Sequence, residues 1–260
     1  MTGAQIATEL TESWLHEAKS YRFQTIRPRN PSWSEVGFQA LAAGECDLAC
    51  TDRTLSAREL QEFGDRRIEG YRVAFYGYAL YVHPDNPLDS IFAKHINLVF
   101  QQRISDWKEL AGQGIVGLEG PIQLFGPLKT SRGGMILMRR AKIWFTNPTW
   151  QPLETDAEIL ARVADDPLAM GFASVGYDEG VRALGIRMRR TDPPAFPSLE
   201  EIESERYGLA KVIYVYMASP PSPEANAAIE YLFSERGRQA IEATDTWPIP
   251  WERAAVTRNP

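Results

Sequence analysis

One short stretch of this sequence combines residue types that can bind a small anion. Within GPLKTSRGGM, residues 126–135, a basic and hydroxyl-rich turn ends in two glycines: Lys129, Thr130, Ser131, Arg132, Gly133 and Gly134. Thr130 or Ser131 can cap a following helix, whose unpaired N–H groups attract negative charge, and glycines let the backbone approach a ligand. An ordinary capped helix with exposed cations has the same features, so the turn alone leaves both interpretations open.

Other residues that carry chemistry are few. The two cysteines are Cys46 and Cys50, and the three histidines are His16, His83 and His95. The segment DLAC is typical of a buried strand, which would hold the cysteines beyond disulfide reach, so we interpret both as small buried hydrophobic residues. We expect no metal site and no cofactor. No nucleophile has a neighbouring base and no carboxylates pair at motif spacing, which argues against an enzyme.

Composition limits the classes of partner. The chain has 260 residues, 44% of them hydrophobic, which is enough for one large domain or for two lobes with their own cores. Its net charge of −6 argues against nucleic-acid binding, so an anion must be held by local dipoles and hydrogen bonds. No signal peptide is visible, and no apolar run approaches the roughly 18 residues of a membrane span, so we expect no membrane insertion.

Helical and strand-like segments alternate along the chain, which predicts an α/β fold with substantially parallel sheets. Apolar spacing and capping residues predict helices over 3–18, 34–44, 56–64, 91–102, 104–110, 135–144, 156–167 and, as one last helix, 223–243. Strands are predicted over 21–28, 47–52, 72–84, 121–126, 168–175 and 211–217. The proline-rich segment 191–204 is predicted to be a crossover loop.

The order of these segments resembles the phosphate-binding (PstS-type) substrate-binding proteins of ABC transporters. The segments that carry the resemblance are SEVGFQALAAGECDLACTDRTLSARE, YALYVHPDNPL, VFQQRISDWKELAG, IQLFGPLKTSRGG, DAEILARVADDPLAMGFASVGY, PPAFPSLEEIESERYGLAKVIYVYM and the terminal helix. They cover nearly the whole chain. No single segment is diagnostic, but so many in the same order are not expected by accident.

The resemblance implies the type II periplasmic binding protein fold, with two α/β lobes joined by two hinge-crossing strands. By analogy, lobe 1 would comprise residues 1–82 plus 193–260, and lobe 2 would comprise residues 83–192. Proteins of this family clamp a ligand between the lobes with N–H groups at helix starts and close by a hinge motion. The resemblance therefore implies a protein that binds its ligand between the lobes and does not catalyse a reaction.

Carried over residue by residue, the resemblance places the first anion contact at Ser34, in SEVG, and the second at Thr51, Asp52 and Arg53. A carboxylate here can accept the proton of hydrogen phosphate, whereas sulfate would leave it facing a like charge. Asp52 therefore favours phosphate, although it can equally be a helix-flanking or salt-bridging residue. Arg53 can instead pair with an acid across the cleft.

The third contact that the resemblance implies is the opening turn, over Lys129, Thr130, Ser131, Arg132 and Gly133. Here the sequence departs from the family. The family has an arginine about four residues before a Ser-Gly-Thr, but Pro127 holds the arginine's place and Ser131-Arg132-Gly133 replaces Ser-Gly-Thr. Lys129 or Arg132 can replace the lost charge, but a lysine does so without the two-pronged geometry of a guanidinium.

Two further departures from the family concern the start of the chain and the segment SEVG. The family has a first strand and a hydroxyl-containing loop, whereas this chain reads Gly3-Ala4-Gln5-Ile6-Ala7, with Thr8 as the nearest hydroxyl and no preceding strand expected. Glu35 adds a negative charge inside SEVG, and a negative charge next to an anion site weakens anion binding.

Three functions therefore stay open at this point. The first is a periplasmic or extracellular solute-binding protein, expected to be a monomer, that captures phosphate or a related small oxyanion for an ABC permease. The second is a re-specialised module that binds another anion or an organic acid, or serves as a sensor or interaction domain. The third is an enzyme, because some bilobed relatives catalyse reactions.

Overall fold

The computed structural model of this chain describes residues 1–16, 34–113, 118–141, 149–177, 179–244, 246–251 and 255–258. Its helices are α1 Gln5–His16, α2 Ser34–Ala43, α3 Ala57–Glu62, α4 Ala93–Phe100, a 3-10 helix Trp107–Gln113, α5 Arg132–Ala141, α6 Asp156–Asp165, α7 Leu199–Glu203, α8 Pro223–Leu232 and α9 Glu235–Glu242. Its strands are β1 Thr2–Gly3, β2 Ala49–Thr51, β3 Arg67–Val82, β4 Ser90–Phe92, β5 Gln123–Pro127, β6 Gln151–Leu153, β7 Ala169–Ser174, β8 Arg182–Ala183, β9 Gly185–Arg187, β10 Ala210–Ser219, β11 Trp247–Pro248 and β12 Ala255–Arg258. The α/β class is confirmed.

The chain divides into two compact units. The first comprises Met1–Tyr76 and Lys211–Pro260, and the second comprises Gly77–Ala210. The chain passes from one unit to the other inside β3 and again at the first residue of β10, so two strands connect the units. The lobe limits that the resemblance implies, at 82/83 and 192/193, stay a prediction.

The first unit has a mixed sheet. Strand β1 pairs in parallel with β2, β10 pairs antiparallel with β2 and lies next to β3, and β11 and β12 pair antiparallel with β3. Helices α1, α8 and α9 contribute to one apolar cluster with β2, β3 and β10. Trp14 of α1 is fully buried in this cluster, and its indole N–H donates to Thr244 Oγ1 at 2.8 Å. This core fixes the strand β2 that leads into the predicted anion contacts.

The second unit has its own sheet and core. Strand β7 pairs antiparallel with β3 and in parallel with β5, and β5 pairs in parallel with β6. A separate parallel pair joins β4 and β9. Phe172 on β7 stacks on Tyr78 at 5.0 Å between ring centroids and meets Phe100 edge-on at 6.2 Å. The parallel strand β5 delivers the chain directly to the glycine-ended turn.

The expectation of substantially parallel sheets was only partly correct, because both sheets are mixed. Alternation of strands and helices predicts parallel pairing only where a helix connects two neighbouring strands. The long strand β3 instead pairs antiparallel with strands far along the chain, namely β7, β8, β11 and β12. Those pairings depend on contacts distant in sequence.

The single last helix predicted over 223–243 was wrong, because the chain forms α8 and α9 with a break at Ser234. The Ser234 hydroxyl donates to the carbonyl of Tyr231 at 2.6 Å and accepts from the N–H of Gly237 at 3.1 Å. A serine that bonds the local backbone in this way replaces continuing helical hydrogen bonds and starts a new helix.

Three smaller expectations also change. The proline-rich segment predicted as a loop contains the short helix α7, which Ser198 caps by accepting from the N–H of Glu201. The helix predicted from residue 91 begins at Ala93, because residues 90–92 form β4. A strand does precede the first helix, since β1 pairs with β2. The strand predicted over 21–28 lies outside the described residues.

Candidate functional site

Ser34 and Asp52 lie together in the first unit. Ser34 is the first residue of α2, and Asp52 directly follows β2, against which α2 packs. The Ser34 hydroxyl donates to Asp52 Oδ1 at 2.7 Å, and the backbone N–H of Asp52 donates to Ser34 Oγ at 3.2 Å. Ser34 is 4% exposed, whereas Asp52 is half-buried. Two residues 18 positions apart are thereby fixed at the start of one helix.

This arrangement determines which groups can meet an anion. A serine hydroxyl has one proton to donate, and Ser34 uses it in the hydrogen bond to the Asp52 carboxylate. The donors available to an anion here are therefore the first N–H groups of α2, which have no acceptor inside the helix. The Asp52 carboxylate supplies an acceptor beside them. Glu35, in the first turn of the same helix, adds a second negative charge nearby.

Thr51 and Arg53 have other partners. Thr51 is fully buried, and its hydroxyl donates to the backbone carbonyl of Arg53 at 3.0 Å. Arg53 donates through both terminal nitrogens to Glu59, at 2.8 Å to Oε2 and 2.6 Å to Oε1. The guanidinium also lies 5.2 Å from the ring centroid of Phe38. Both side chains thus stabilise the turn after β2.

Glu59 receives hydrogen bonds from two directions. Besides Arg53, it accepts from the N–H of Ser56 at 2.9 Å and from the Ser56 hydroxyl at 2.6 Å, while its own N–H donates to that hydroxyl. This is a capping box that begins α3. The hydrogen bonds from Arg53 lower the pKa of Glu59 to about 2, and the same contact raises the pKa of Arg53.

Glu59 was not among the predicted site residues, although a helix was predicted to begin at Ser56. The spacing Ser-x-x-Glu at residues 56–59 is the signal that could have indicated it. The alternative for Arg53 was a pairing with an acid across the cleft, whereas the acid that it contacts is Glu59 of the same unit. The acid is six residues along the same chain segment.

The second unit contains the glycine-ended turn. Ser131 caps α5: its hydroxyl donates to the carbonyl of Leu128 at 2.7 Å and accepts from the N–H of Gly134 at 3.1 Å. The next helical N–H groups, at Arg132 and Gly133, belong to the first turn, where an α-helix offers no internal acceptor. Of the two predicted caps, Ser131 takes this role.

Packing alone accounts for the two glycines. A Cβ at Gly134 would lie 2.0 Å from the carbonyl oxygen of Leu128, and one at Gly133 would lie 2.9 Å from the ring of Tyr78. Lys129, Thr130 and Arg132 are exposed. The turn therefore presents two cationic side chains and a hydroxyl to solvent around a tightly packed backbone.

Pro127 has a structural role at the position of the family's arginine. It is buried at the end of β5, and its carbonyl accepts the indole N–H of Trp150 at 3.1 Å.

The predicted site residues lie in both units: Ser34, Thr51, Asp52 and Arg53 in the first, and Lys129, Thr130, Ser131, Arg132 and Gly133 in the second. Their action on one ligand stays a prediction.

The two cysteines have the properties of packing residues. Both are free thiols, Cys50 fully buried and Cys46 half-buried, and burial raises the pKa of Cys50 to about 12 and of Cys46 to about 11. A thiol with so high a pKa stays protonated near neutral pH and is a poor nucleophile.

Metal ligands and membrane spans are not evident in the described part of the chain. Among those residues, no group of three or more His, Cys, Asp or Glu side chains is arranged to hold a metal ion. In the same ranges, no helix combines the length and the apolar character needed to cross a bilayer.

Two α/β units connected by two strands define the type II periplasmic binding protein class. The chain belongs to the PBP superfamily, since the family model of a PBP superfamily domain matches residues 3–236. The phosphate-binding protein PstS of Pseudomonas aeruginosa (strain PAO1) is 22% identical over an alignment 272 positions long, gaps included, that covers 95% of this chain and 82% of that protein.

Solved structures show the same fold. A possible phosphate binding protein from Planctomyces limnophilus DSM 3776 superposes with a TM-score of 0.69 at 19% identity, over 96% of this chain and 92% of that one. An ABC-type phosphate transport receptor from Vibrio cholerae gives a TM-score of 0.59 at 18% identity, over 96% and 98% of the two chains. At these identities the likeness concerns the fold.

Proposed function

We propose that this protein binds inorganic phosphate as the receptor of an ABC importer. The superfamily and the relatives named as phosphate-binding proteins support this function. The single observation that carries it is the contact of 2.7 Å between Ser34 and Asp52, which places a carboxylate beside the first N–H groups of α2.

This pairing favours phosphate over sulfate for a simple reason. Near neutral pH phosphate still carries at least one proton, which it can donate to the Asp52 carboxylate while its other oxygens accept from backbone N–H groups. Sulfate has no proton to give, so its oxygens would face a like charge at short range. Asp52 then acts as a selectivity residue.

Calorimetric titration with phosphate and sulfate tests this proposal. We expect one phosphate per chain and weaker binding of sulfate. Asp52→Asn replaces the carboxylate by a neutral amide and should lower the ratio of phosphate to sulfate affinity about tenfold or more, since a charge-assisted hydrogen bond contributes about 1.5–3 kcal/mol.

Asp47→Asn is the matched control, because Asp47 is exposed and lies five positions from Asp52 on the same segment. It should leave the affinity ratio unchanged. Absence of heat with phosphate in the unaltered protein would overturn the proposal. An unchanged ratio in Asp52→Asn would overturn the role given to Asp52.

The contribution of the second unit can be measured separately. We infer that the N–H groups after Ser131 also contact phosphate. Arg132→Pro, which removes one of these N–H groups at the first helical position together with the guanidinium, should therefore weaken phosphate binding more than Arg132→Ala, which removes the guanidinium alone. Proline is tolerated at that position of a helix, so the fold is expected to survive. A stoichiometry of two phosphates per chain, each lost in a different variant, would show that the two sets of residues serve separate sites.

Transport and location complete the proposal. We infer an extracytoplasmic, monomeric receptor that delivers phosphate to a permease. Uptake of labelled phosphate in cells that lack their own receptor should depend on this protein and be reduced by Asp52→Asn. Uptake that is the same with and without the protein would contradict this role.

A re-specialised pocket is the second candidate, and Pro127 favours it. In place of an arginine, this position carries a buried proline whose carbonyl is bonded to Trp150. A thermal-shift screen distinguishes the two functions, since a ligand that binds the native state raises the melting temperature. Stabilisation by organic acids but not by phosphate would select this candidate.

We also infer that the protein binds without catalysis. Burial raises the pKa of both thiols, and the Nδ1 atom of His83 accepts the backbone N–H of Asp85, which occupies that nitrogen in the loop. Turnover of phenyl phosphate that Asp52→Asn abolishes would overturn this inference.

A further inference from the structure

The second unit contains a cavity of about 330 Å³ that the phosphate proposal does not use. It is lined by the end of β4, the first turn of α4, the 3-10 helix and the segment after β9, through Phe92, Lys94, His95, Glu109, Leu110, Met188, Arg189 and Arg190. Its volume lies at the lower end of the range for pockets that hold small organic ligands.

The charge of this cavity is mainly positive. Three of its side chains are cationic, Lys94, Arg189 and Arg190, and within the described ranges none of the three has a carboxylate within salt-bridge distance. The first turn of α4 carries no acidic residue. The net charge of the whole protein is −6, so the charge around this cavity is opposite in sign to that of the protein as a whole.

The carboxylates near the cavity are already bonded to the backbone. Glu109, which lines it, accepts through Oε1 from the N–H groups of Ser105 at 2.9 Å and Asp106 at 3.0 Å. Asp192 accepts from the N–H of Arg189 at 3.1 Å. These bonds hold both carboxylates to their own turns, so the cationic side chains keep room for an external anion.

The remaining wall is apolar. Among the lining residues Leu110 is buried, Met188 is 65% exposed, and Phe92 meets His95 edge-on at 5.6 Å. The ammonium of Lys94 lies 5.8 Å from the ring centroid of Phe92. Cations beside aromatic and thioether surface suit a ligand with both a charged group and an apolar body.

We propose that this cavity binds a small organic anion in which one carboxylate or phosphate group is attached to an apolar body. The anionic group pairs with Lys94, Arg189 and Arg190, and the apolar body packs on Phe92 and Met188. This site is independent of the phosphate-binding residues.

The test uses benzoate and phenyl phosphate as probes, titrated at low ionic strength into isotope-labelled protein saturated with inorganic phosphate. We expect amide resonances at residues 92–95, 109–110 and 188–190 to shift with at least one probe, and added salt to weaken the effect. Two compounds serve as controls: acetate has the carboxylate without the ring, and benzyl alcohol has the ring without the charge. Equal shifts with either of these at the same concentration, or no shifts with both probes, would overturn the proposal.

A charge-matched pair of variants locates the site. Arg189→Ala with Arg190→Ala should weaken probe binding about tenfold, the change expected for losing roughly 1.4 kcal/mol of ion pairing. Arg103→Ala with Arg162→Ala removes the same charge from exposed positions of the same unit and should change the affinity less than about twofold. Equal weakening in both pairs would show a general charge effect. If the first pair unfolds, Lys94→Ala is compared with Arg103→Ala alone, since each removes one positive charge from an exposed position.

Discussion

Arg53 shows how one side chain is assigned between binding and structure. A guanidinium beside an anion site suggests a ligand contact, but here both of its terminal nitrogens donate to Glu59 at 2.6–2.8 Å. Glu59 is only 7% exposed, so removing Arg53 would leave the Glu59 carboxylate poorly solvated and without its cation. The pair therefore stabilises the turn after β2 and with it the position of Asp52.

Glu59→Gln should lower the free energy of unfolding by about 1–2 kcal/mol near neutral pH, a value reduced because the Arg53 side chain is 38% exposed. Urea unfolding followed by tryptophan fluorescence measures it. Glu62→Gln, an exposed change in the same helix, is the control and should have little effect. A Glu59 variant as stable as the control would contradict the bridging role.

The same pair predicts a dependence on pH. The pKa of Glu59 is lowered from 4.5 to about 2 in the folded protein, so its stabilisation is fully present above pH 4.5 and is lost as the pH falls toward 2. The difference in stability between the unaltered protein and Glu59→Gln should therefore shrink across this window. A difference that stays constant down to about pH 2.5 would show that the ion pair is not its source.

At the scale of elements, the start of α5 combines two requirements. The proposed phosphate contact needs accessible helical N–H groups, and packing brings the backbone of residue 134 against the carbonyl of Leu128. Glycine satisfies both, because it has no Cβ. A glycine pair that looks like a ligand-binding signal is thus also a packing requirement, and the sequence does not separate the two.

Gly134→Ala should destabilise the protein by about 1–3 kcal/mol, since the added Cβ would lie 2.0 Å from the Leu128 oxygen and the turn must move. The higher helix propensity of alanine offsets part of this cost. Gly208→Ala serves as the control, because a Cβ there meets no atom within 4 Å. Urea unfolding of both variants checks the expectation, and equal stabilities would refute it.

At the scale of the whole molecule, each unit has its own core and the chain connects them twice. A ligand that binds only the native protein stabilises whichever units supply its contacts. Because the proposed phosphate contacts lie in both units, phosphate is expected to stabilise both.

Scanning calorimetry with phosphate at 100 times its dissociation constant should show about 2.7 kcal/mol of added stability. If the units unfold in separate transitions, both transitions should move to higher temperature. Asp52→Asn, studied at the same phosphate concentration, should show a stabilisation that changes with the logarithm of its phosphate affinity. A shift confined to one transition would place all the contacts in one unit.

Local patterns in the sequence were enough to predict most elements. Capping residues and apolar spacing indicated α1, α2, α3 and α6, and the glycines that end two helices were recognisable, with φ of +74° at Gly44 and +57° at Gly64. The order of segments also pointed to the superfamily that the family model confirms. These features depend on residues only a few positions apart.

The tertiary structure decided what depends on distant contacts. The direction of pairing along β3, the hydrogen bond from the Ser34 hydroxyl to Asp52 and the fit of Gly134 against Leu128 follow from atoms brought together by folding. A sequence shows that a hydroxyl, a carboxylate and a glycine are present. Which partner each one meets is set by packing, because a hydrogen bond or a steric contact acts only over a few ångströms.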